Sequence, residues 1–300
     1  FTSKMGFFRG HKRRGSFDLF SSYNHFLPGL GGVIILVLIF GAGSLLGGLI
    51  LTGLIKLVGA DLAMKYGMLI VYPITFIPAL LYASVMSRLN EHRTEGIPTD
   101  KSLSCGWKGT TKLIFVCVFS TIATAFVMEP ISILLPEMPA DLKQQMELIM
   151  NGMPTWAAFI SVSIFAPLFE EWLCRGLVLR GLLHKTKPYL AIIASAAFFA
   201  LIHGNLWQAI PAFGMGLLFG YVYYKTGSLK LTMLMHLTNN TMALALSKVP
   251  QFKDAETFMD VLSPAGYWCI FTACILIIIS ALVLLKSFQP SQENQVCQHQ

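Results

Sequence analysis

Eight apolar blocks punctuate the chain, near residues 33–55, 66–87, 112–135, 155–182, 189–204, 206–224, 229–247 and 265–285. Most reach the roughly 17–25 residues that a helix needs to cross a bilayer. The fifth is short, and the fourth continues as an amphipathic helix through Arg175, Arg180 and Lys185. The pattern predicts an all-α fold, a polytopic membrane helical bundle of about eight transmembrane helices. The first block is too long and glycine-rich for a signal-peptide core and has no evident cleavage site, so it is expected to be a span. The expected organisation is a basic cytoplasmic tail over 1–30, a transmembrane bundle over 31–286 and a polar, disordered tail over 287–300.

Smaller patterns refine this outline. Gly43, Gly47 and Gly48 give the first span a small-xxx-small face for close helix packing. Pro73 and Pro78 are expected to bend the second. Between the third and fourth spans, Leu142, Met146, Ile149 and Met150 recur at helical spacing, which predicts a short helix on the outer surface over 139–150.

Composition sharpens the class. Hydrophobic residues make up 55% of the chain and charged residues 12%, and the mean hydropathy is +0.64. A soluble domain carries about twice that charge. The net charge of +7 is arranged by topology and is not a nucleic-acid footprint. Lys4, Arg9, Lys12, Arg13 and Arg14 precede the first span. Arg88, Arg93, Lys101 and Lys108 follow the second, and Arg180, Lys185 and Lys187 follow the fourth. By the positive-inside rule both termini of this multi-pass protein are expected in the cytoplasm. The six cysteines are scattered without metal-ligand spacing and imply no disulfide framework. The expected partners are the lipid bilayer and a membrane-associated protein or peptide, with no nucleic acid; the oligomeric state stays open.

The chemistry concentrates in the fourth to seventh spans. Phe169-Glu170-Glu171-Trp172-Leu173-Cys174-Arg175 puts three charges into a helix that is otherwise apolar from Trp156. Each ionisable side chain at membrane depth costs roughly 2.5–3.5 kcal/mol on insertion scales, so such residues usually mark function. His203 and His236 add two more. Glu170 and His203 lie at nearly equal distance from the turn at 184–188, so an antiparallel hairpin brings them to one depth. Glu171 and Arg175 are four apart on one helix, as an ion pair requires. His236 and Asn240 are also four apart and share a face. A carboxylate and a histidine can activate water, while a second histidine and a carboxamide can donate to an oxyanion. As an alternative, Glu170, His203 and His236 can be read as a three-ligand site for Zn2+ or another divalent cation. The reading preferred from sequence requires no cofactor. Glu129, late in the third span before Pro130, is expected to be structural.

The ordered motifs Glu-Glu-xxx-Arg (Glu170, Glu171, Arg175), Phe-xxx-His (Phe199, His203), Phe-xx-Gly-xxx-Gly (Phe213, Gly216, Gly220) and His-xxx-Asn (His236, Asn240) resemble the CPBP family. That family joins the type II CAAX prenyl proteases with the bacterial Abi and lysostaphin-resistance-type proteins. The resemblance covers a catalytic core at about 155–247. It implies an intramembrane endopeptidase in which Glu170 and His203 activate water, His236 and Asn240 form the oxyanion site, and Glu171 and Arg175 support the first glutamate. The glycine motif is assigned to helix packing. The compact interval between the histidines is more like the bacterial members, which makes a bacterial inner membrane the expected location.

Three other readings fit the sequence less well. A cysteine protease built on Cys174 suffers from the apolar surroundings, which disfavour a thiolate. A proton-coupled transporter would usually show related halves with broken helices, and none is visible. A catalytically idle membrane scaffold would not need all four motifs. Access to the site is expected from the cytoplasmic end, because His236 follows closely on the turn at Gly227.

Overall fold

The structure, a computed structural model, describes residues 19–288 except 102, 104–105, 253–254 and 256. The basic residues from Lys4 to Arg14, Cys105, Cys297 and nearly all of the expected C-terminal tail lie outside the described residues. Within them the fold is helical without strands. It comprises α1 (Leu30–Val58), α2 (Ala60–Tyr66), α3 (Met68–Asn90), α4 (Gly106–Ile133), α5 (Ala140–Glu147), α6 (Thr155–Leu183), α7 (Pro188–Leu201), α8 (Leu206–Thr226), α9 (Leu229–Leu246) and α10 (Pro264–Lys286). Each of the eight apolar blocks is one of these helices. The helix expected over 139–150 is α5 with its continuation Leu148–Gly152, and α2 is an addition that sequence did not anticipate.

Five of the helices, α1, α3, α4, α6 and α10, are long and apolar enough to cross a membrane. α7 is apolar but has only 14 residues. α8 and α9 contain more polar residues, among them Gln208, His236, Asn239 and Asn240. The protein is a multi-pass helical membrane protein, and its three less typical helices are those that surround the buried charges.

Local chemistry sets the helix ends that matter. Pro188 opens α7 at its first position, where a missing N–H costs nothing. Asn205 caps α8 by accepting from Gln208 N–H at 2.9 Å. Gly227, with φ of +68°, ends α8 in the left-handed conformation that lets the chain turn into α9. The Ser228 hydroxyl then accepts from Leu231 N–H to start α9.

Glycine governs two close approaches. A Cβ on Gly43 would sit 2.2 Å from the Thr75 carbonyl oxygen, and one on Gly47 would sit 2.8 Å from Thr75 Oγ1. Both therefore press α1 against α3. Gly48 meets nothing within 4 Å, so the expected three-glycine face reduces to two. In α8, a Cβ on Gly216 would come within 3.0 Å of Ala196 and one on Gly220 within 3.1 Å of Ile192. The Phe213, Gly216 and Gly220 motif thus allows α8 to lie directly on α7.

At the end of the bundle holding the α6–α7 turn, residues 19–29 and 94–101 fold over the helices. Arg180 ties them together. Its Nη1 donates to Ile97 O at 2.5 Å and Thr99 Oγ1 at 2.8 Å, and its Nη2 donates to Tyr23 O at 2.6 Å and Phe26 O at 3.0 Å. Phe20 and Tyr23 stand edge-on against Trp172. Tyr223 OH donates to Thr99 O at 2.8 Å. Within the segment expected as a tail over 1–30, Phe20, Tyr23 and Phe26 are buried core residues. Glu129 has a structural setting: one carboxylate oxygen accepts from Tyr267 OH at 2.8 Å and the other from Phe258 N–H.

Candidate active site

α6 carries the first two acidic residues between two stretches of wider, π-type winding, Phe159–Phe165 and Trp172–Leu179. Such turns are rare and often accompany functional sites. The α-helical piece between them, Ala166–Glu171, ends on Glu170 and Glu171, and both are buried. α9 packs along this part of α6, and α7 crosses it farther on.

Glu170, His203 and His236 meet. Glu170 Oε2 lies 4.0 Å from His203 Nε2 and 3.9 Å from His236 Nε2. The other carboxylate oxygen, Oε1, accepts from Tyr72 OH on α3. Oε2 has no hydrogen-bond partner within the protein. The pairing follows from the hairpin, because Glu170 and His203 are similarly distant from the turn that joins their helices.

Each histidine is oriented through its other nitrogen. His203 Nδ1 is 2.7 Å from Phe199 O. A carbonyl only accepts, so Nδ1 holds the hydrogen and a neutral His203 presents a bare Nε2. His236 Nδ1 is 3.0 Å from Glu171 Oε1, and a carboxylate imposes the same tautomer. Both Nε2 atoms therefore face Glu170 with free capacity. Phe199 meets both imidazoles edge-on, with centroids 5.0 Å from His203 and 5.4 Å from His236.

Behind this cluster lies a buried charge network. Arg175 Nη1 donates to Glu171 Oε1 at 2.8 Å, as the four-residue spacing predicted. Its Nη2 donates to Gly216 O at 3.1 Å. The guanidinium carbon stands 4.5 Å from the Phe199 centroid and 5.3 Å from that of Phe219. Arg175 and Glu171 are both fully enclosed. Glycine at 216 brings the α8 backbone near enough to accept from the arginine.

Asn240 is placed differently from the other three expected site residues. It lies one turn from His236 on α9, but its Nδ2 donates to Val162 O at 2.8 Å and its Oδ1 accepts from Asn239 at 3.0 Å. One of its two N–H bonds thus ties α9 to the wider turn of α6. Cys174 is fully buried, and Ser195 Oγ donates to its carbonyl at 2.9 Å.

Exposure indicates where the site opens. The side chain of His203 is 20% exposed, that of Glu170 10% and that of His236 5%. Leu201, Gly204 and Leu206 beside His203 are exposed, whereas the run Glu170–Leu183 is buried throughout. Within the cluster, exposure is greatest on the side of the α7–α8 turn. The opposite end, where entry was expected, is covered by residues 19–29 and 94–101.

Sequence reasoning missed Tyr72 and the use made of Phe199 and Val162. Tyr72 carried a weak signal, a phenol within an apolar span that needs a partner when buried. The Val162 carbonyl carried none, because nothing in its neighbours reveals a widened helical turn.

These observations define a class: a multi-pass helical membrane protein with a carboxylate–imidazole cluster enclosed among its helices. Residues 152–242 match the Rce1-like family, described as type II CAAX prenyl endopeptidase Rce1-like. Over this core, just under a third of the chain, the protein is similar to the CPBP-type membrane proteases that its motifs resemble. A Bacillus subtilis (strain 168) protein named "Putative membrane peptidase YdiL" is 27% identical over 88 residues, 29% of this chain and 36% of that protein. The chain thus aligns with little more than a third of the length of this curated relative. No solved structure matches.

Proposed function

We propose that this protein is an intramembrane endopeptidase that hydrolyses a peptide bond of a membrane-associated protein or peptide, using water held between Glu170 and His203. The observation that carries the reading is the convergence of His203 Nε2 and His236 Nε2 on Glu170 Oε2, at 4.0 and 3.9 Å. One water has two hydrogens, so it satisfies two of these three acceptors. The third must itself bring a proton or share a cation.

In the form without a resident cation, His236 brings the proton. Its imidazolium is flanked at Nδ1 by the Glu171 carboxylate, and its Nε2–H then points at the reaction space. Glu170 Oε2 takes a proton from the water as the water oxygen bonds to the scissile carbonyl carbon. His236 donates to the oxyanion, with the second N–H of Asn240 as the other candidate donor. When the C–N bond breaks, the proton held by Glu170 passes to the leaving amine, and the carboxylate is restored. Tyr72 fixes Oε1, which leaves Oε2 as the reacting atom. Arg175 and Glu171 hold His236 in place.

A divalent cation has a partial case. Glu170, His203 and His236 are suitable donors, and both histidines already donate through Nδ1 to a fixed acceptor, as metal-bearing histidines usually do. Bound there, a cation would act as a Lewis acid toward water. The set is nevertheless wide for this purpose: a tetrahedral site with ligands at about 2.0–2.1 Å brings its donor atoms to roughly 3.3–3.4 Å of one another. Among the described residues, no three metal-binding side chains stand close enough to hold an ion as they are. We therefore favour the cation-free form.

The family match, the YdiL likeness and the basic connections support a membrane-bound substrate, a bacterial inner membrane and cytoplasmic termini as parts of this proposal. The test is peptide cleavage by purified protein. Glu170→Gln and His203→Ala are each expected to lower the rate at least about 10²-fold, within the scale of general-base assistance, while detergent thermal stability stays near wild type. Retention of more than about a tenth of the rate by both would remove the assignment. Chelated wild type is expected to keep its rate; loss of activity that returns with added zinc would replace the cation-free form with the metal one.

A further inference from the structure

A groove of about 500 Å³ runs along the surface between α4 and α10, away from the site. Phe115, Val116 and Phe119 form one wall, and Leu276, Ile277 and Leu284 form the other. From Lys112 to Phe119, and from Leu284 back to Leu276, it extends roughly 10–12 Å at 1.5 Å per residue. Ser280 also lines it, and the buried Ala281 lies beneath. The volume falls within the roughly 300–1,000 Å³ range of small-molecule sites.

One end of this groove is strongly basic. Lys112 lines the groove itself, and Lys108 lies one turn earlier on the same face of α4. Lys286 closes α10 at the same end, because the two helices run antiparallel. Lys225, from α8, reaches this end and donates to Lys286 O at 3.2 Å. No acidic side chain occurs in α10, and the sole one in α4 is Glu129 near its other end. Among the described residues, no carboxylate pairs with Lys108, Lys112 or Lys286. Trp107, 85% exposed, stands beside this cluster, where tryptophan commonly marks a membrane–water interface.

We propose that this groove binds an anionic glycerophospholipid, with one acyl chain between α4 and α10 and its phosphate among Lys112, Lys108 and Lys286. Apolar walls alone would accept any lipid. The lysines are what select the headgroup, since basic pockets between transmembrane helices favour anionic lipids. The site does not depend on the peptidase reading.

Native mass spectrometry of the full chain in detergent, with equimolar phosphatidylglycerol and phosphatidylcholine of identical chains, tests the proposal. Wild type is expected to retain phosphatidylglycerol preferentially by about ten-fold or more. Lys112→Gln and Lys286→Gln should each lower that preference about five-fold, the scale of one lysine near an anionic lipid. Ser280→Trp, which obstructs the groove, should reduce retention of both lipids. Equal retention by wild type, an unchanged preference in the double lysine variant, or undiminished lipid on Ser280→Trp would overturn the proposal. A lipid-free dimer in the same spectra would assign the groove to a second copy of the chain instead.

Discussion

α6 and α10 are both long enough to cross a membrane, yet they occupy different solvents. In α6, 61% of the most apolar window is buried within the protein; in α10 the share is 17%. α10 has no acidic residue, and its one basic residue, Lys286, is its last. α6 carries Glu170, Glu171, Arg175 and Arg180. The difference shows what makes intramembrane charge tolerable. Glu171 has Arg175 and His236, Arg175 has Glu171, Gly216 O and two aromatic rings, and Arg180 has four oxygen acceptors. The charges of Glu171, Arg175 and Arg180 meet partners within the protein, from α6 itself, from α8 and α9, and from the segments 19–29 and 94–101, so the protein itself replaces water as the polar medium. α10 is left uncovered by the rest of the protein along most of its length and has no comparable set of partners to offer.

The largest effect should come from unpairing a charge within α6. Arg175→Met leaves Glu171 enclosed with its main counter-charge gone and should cost about 3–5 kcal/mol, the scale for breaking a buried ion pair. Thermal unfolding in detergent measures it, and a shift no larger than that of a surface control would show that the pair contributes little. The converse change puts a charge where α10 faces lipid. Ile279→Arg should carry an insertion penalty of roughly 2.5–3.5 kcal/mol, read as a reduced integrated fraction in a membrane-insertion assay. Normal integration would mean that this face of α10 is covered by protein.

Smaller effects separate packed from lipid-facing glycines. Gly216→Val presses on Ala196 and should destabilise by about 1–3 kcal/mol, as overpacking does. Gly48→Val meets open space and should remain within about 0.5 kcal/mol of wild type. Equal effects at the two positions would contradict the close contact of α7 and α8.

Much of this contrast is legible in sequence because membrane depth penalises charge so heavily. The apolar blocks gave the helices, and the few ionisable residues inside them gave the cluster of Glu170, His203 and His236. The Glu171–Arg175 pair followed from spacing on one helix. What escaped sequence reasoning depends on contacts between distant parts of the chain. Tyr72 reaches Glu170 across 98 positions, and Arg180 binds Tyr23 O across 157. Asn240 shared the expected face with His236, yet the widened turn around Val162 offers its amide a carbonyl. Entry was expected at the end near Gly227 because no local pattern reveals that residues 19–29 cover it.

The central claim is that Glu170 activates water for attack on a peptide bond within this helical cluster. Its most direct test is cleavage of a membrane-peptide library by reconstituted protein in ¹⁸O-labelled water, with products read by mass spectrometry. Wild type should generate new C-terminal carboxyl groups carrying one ¹⁸O per cleavage, and Glu170→Gln, equally folded, should generate almost none. Failure of wild type to cleave any library member, or labelled products from Glu170→Gln at a comparable rate, would contradict the account.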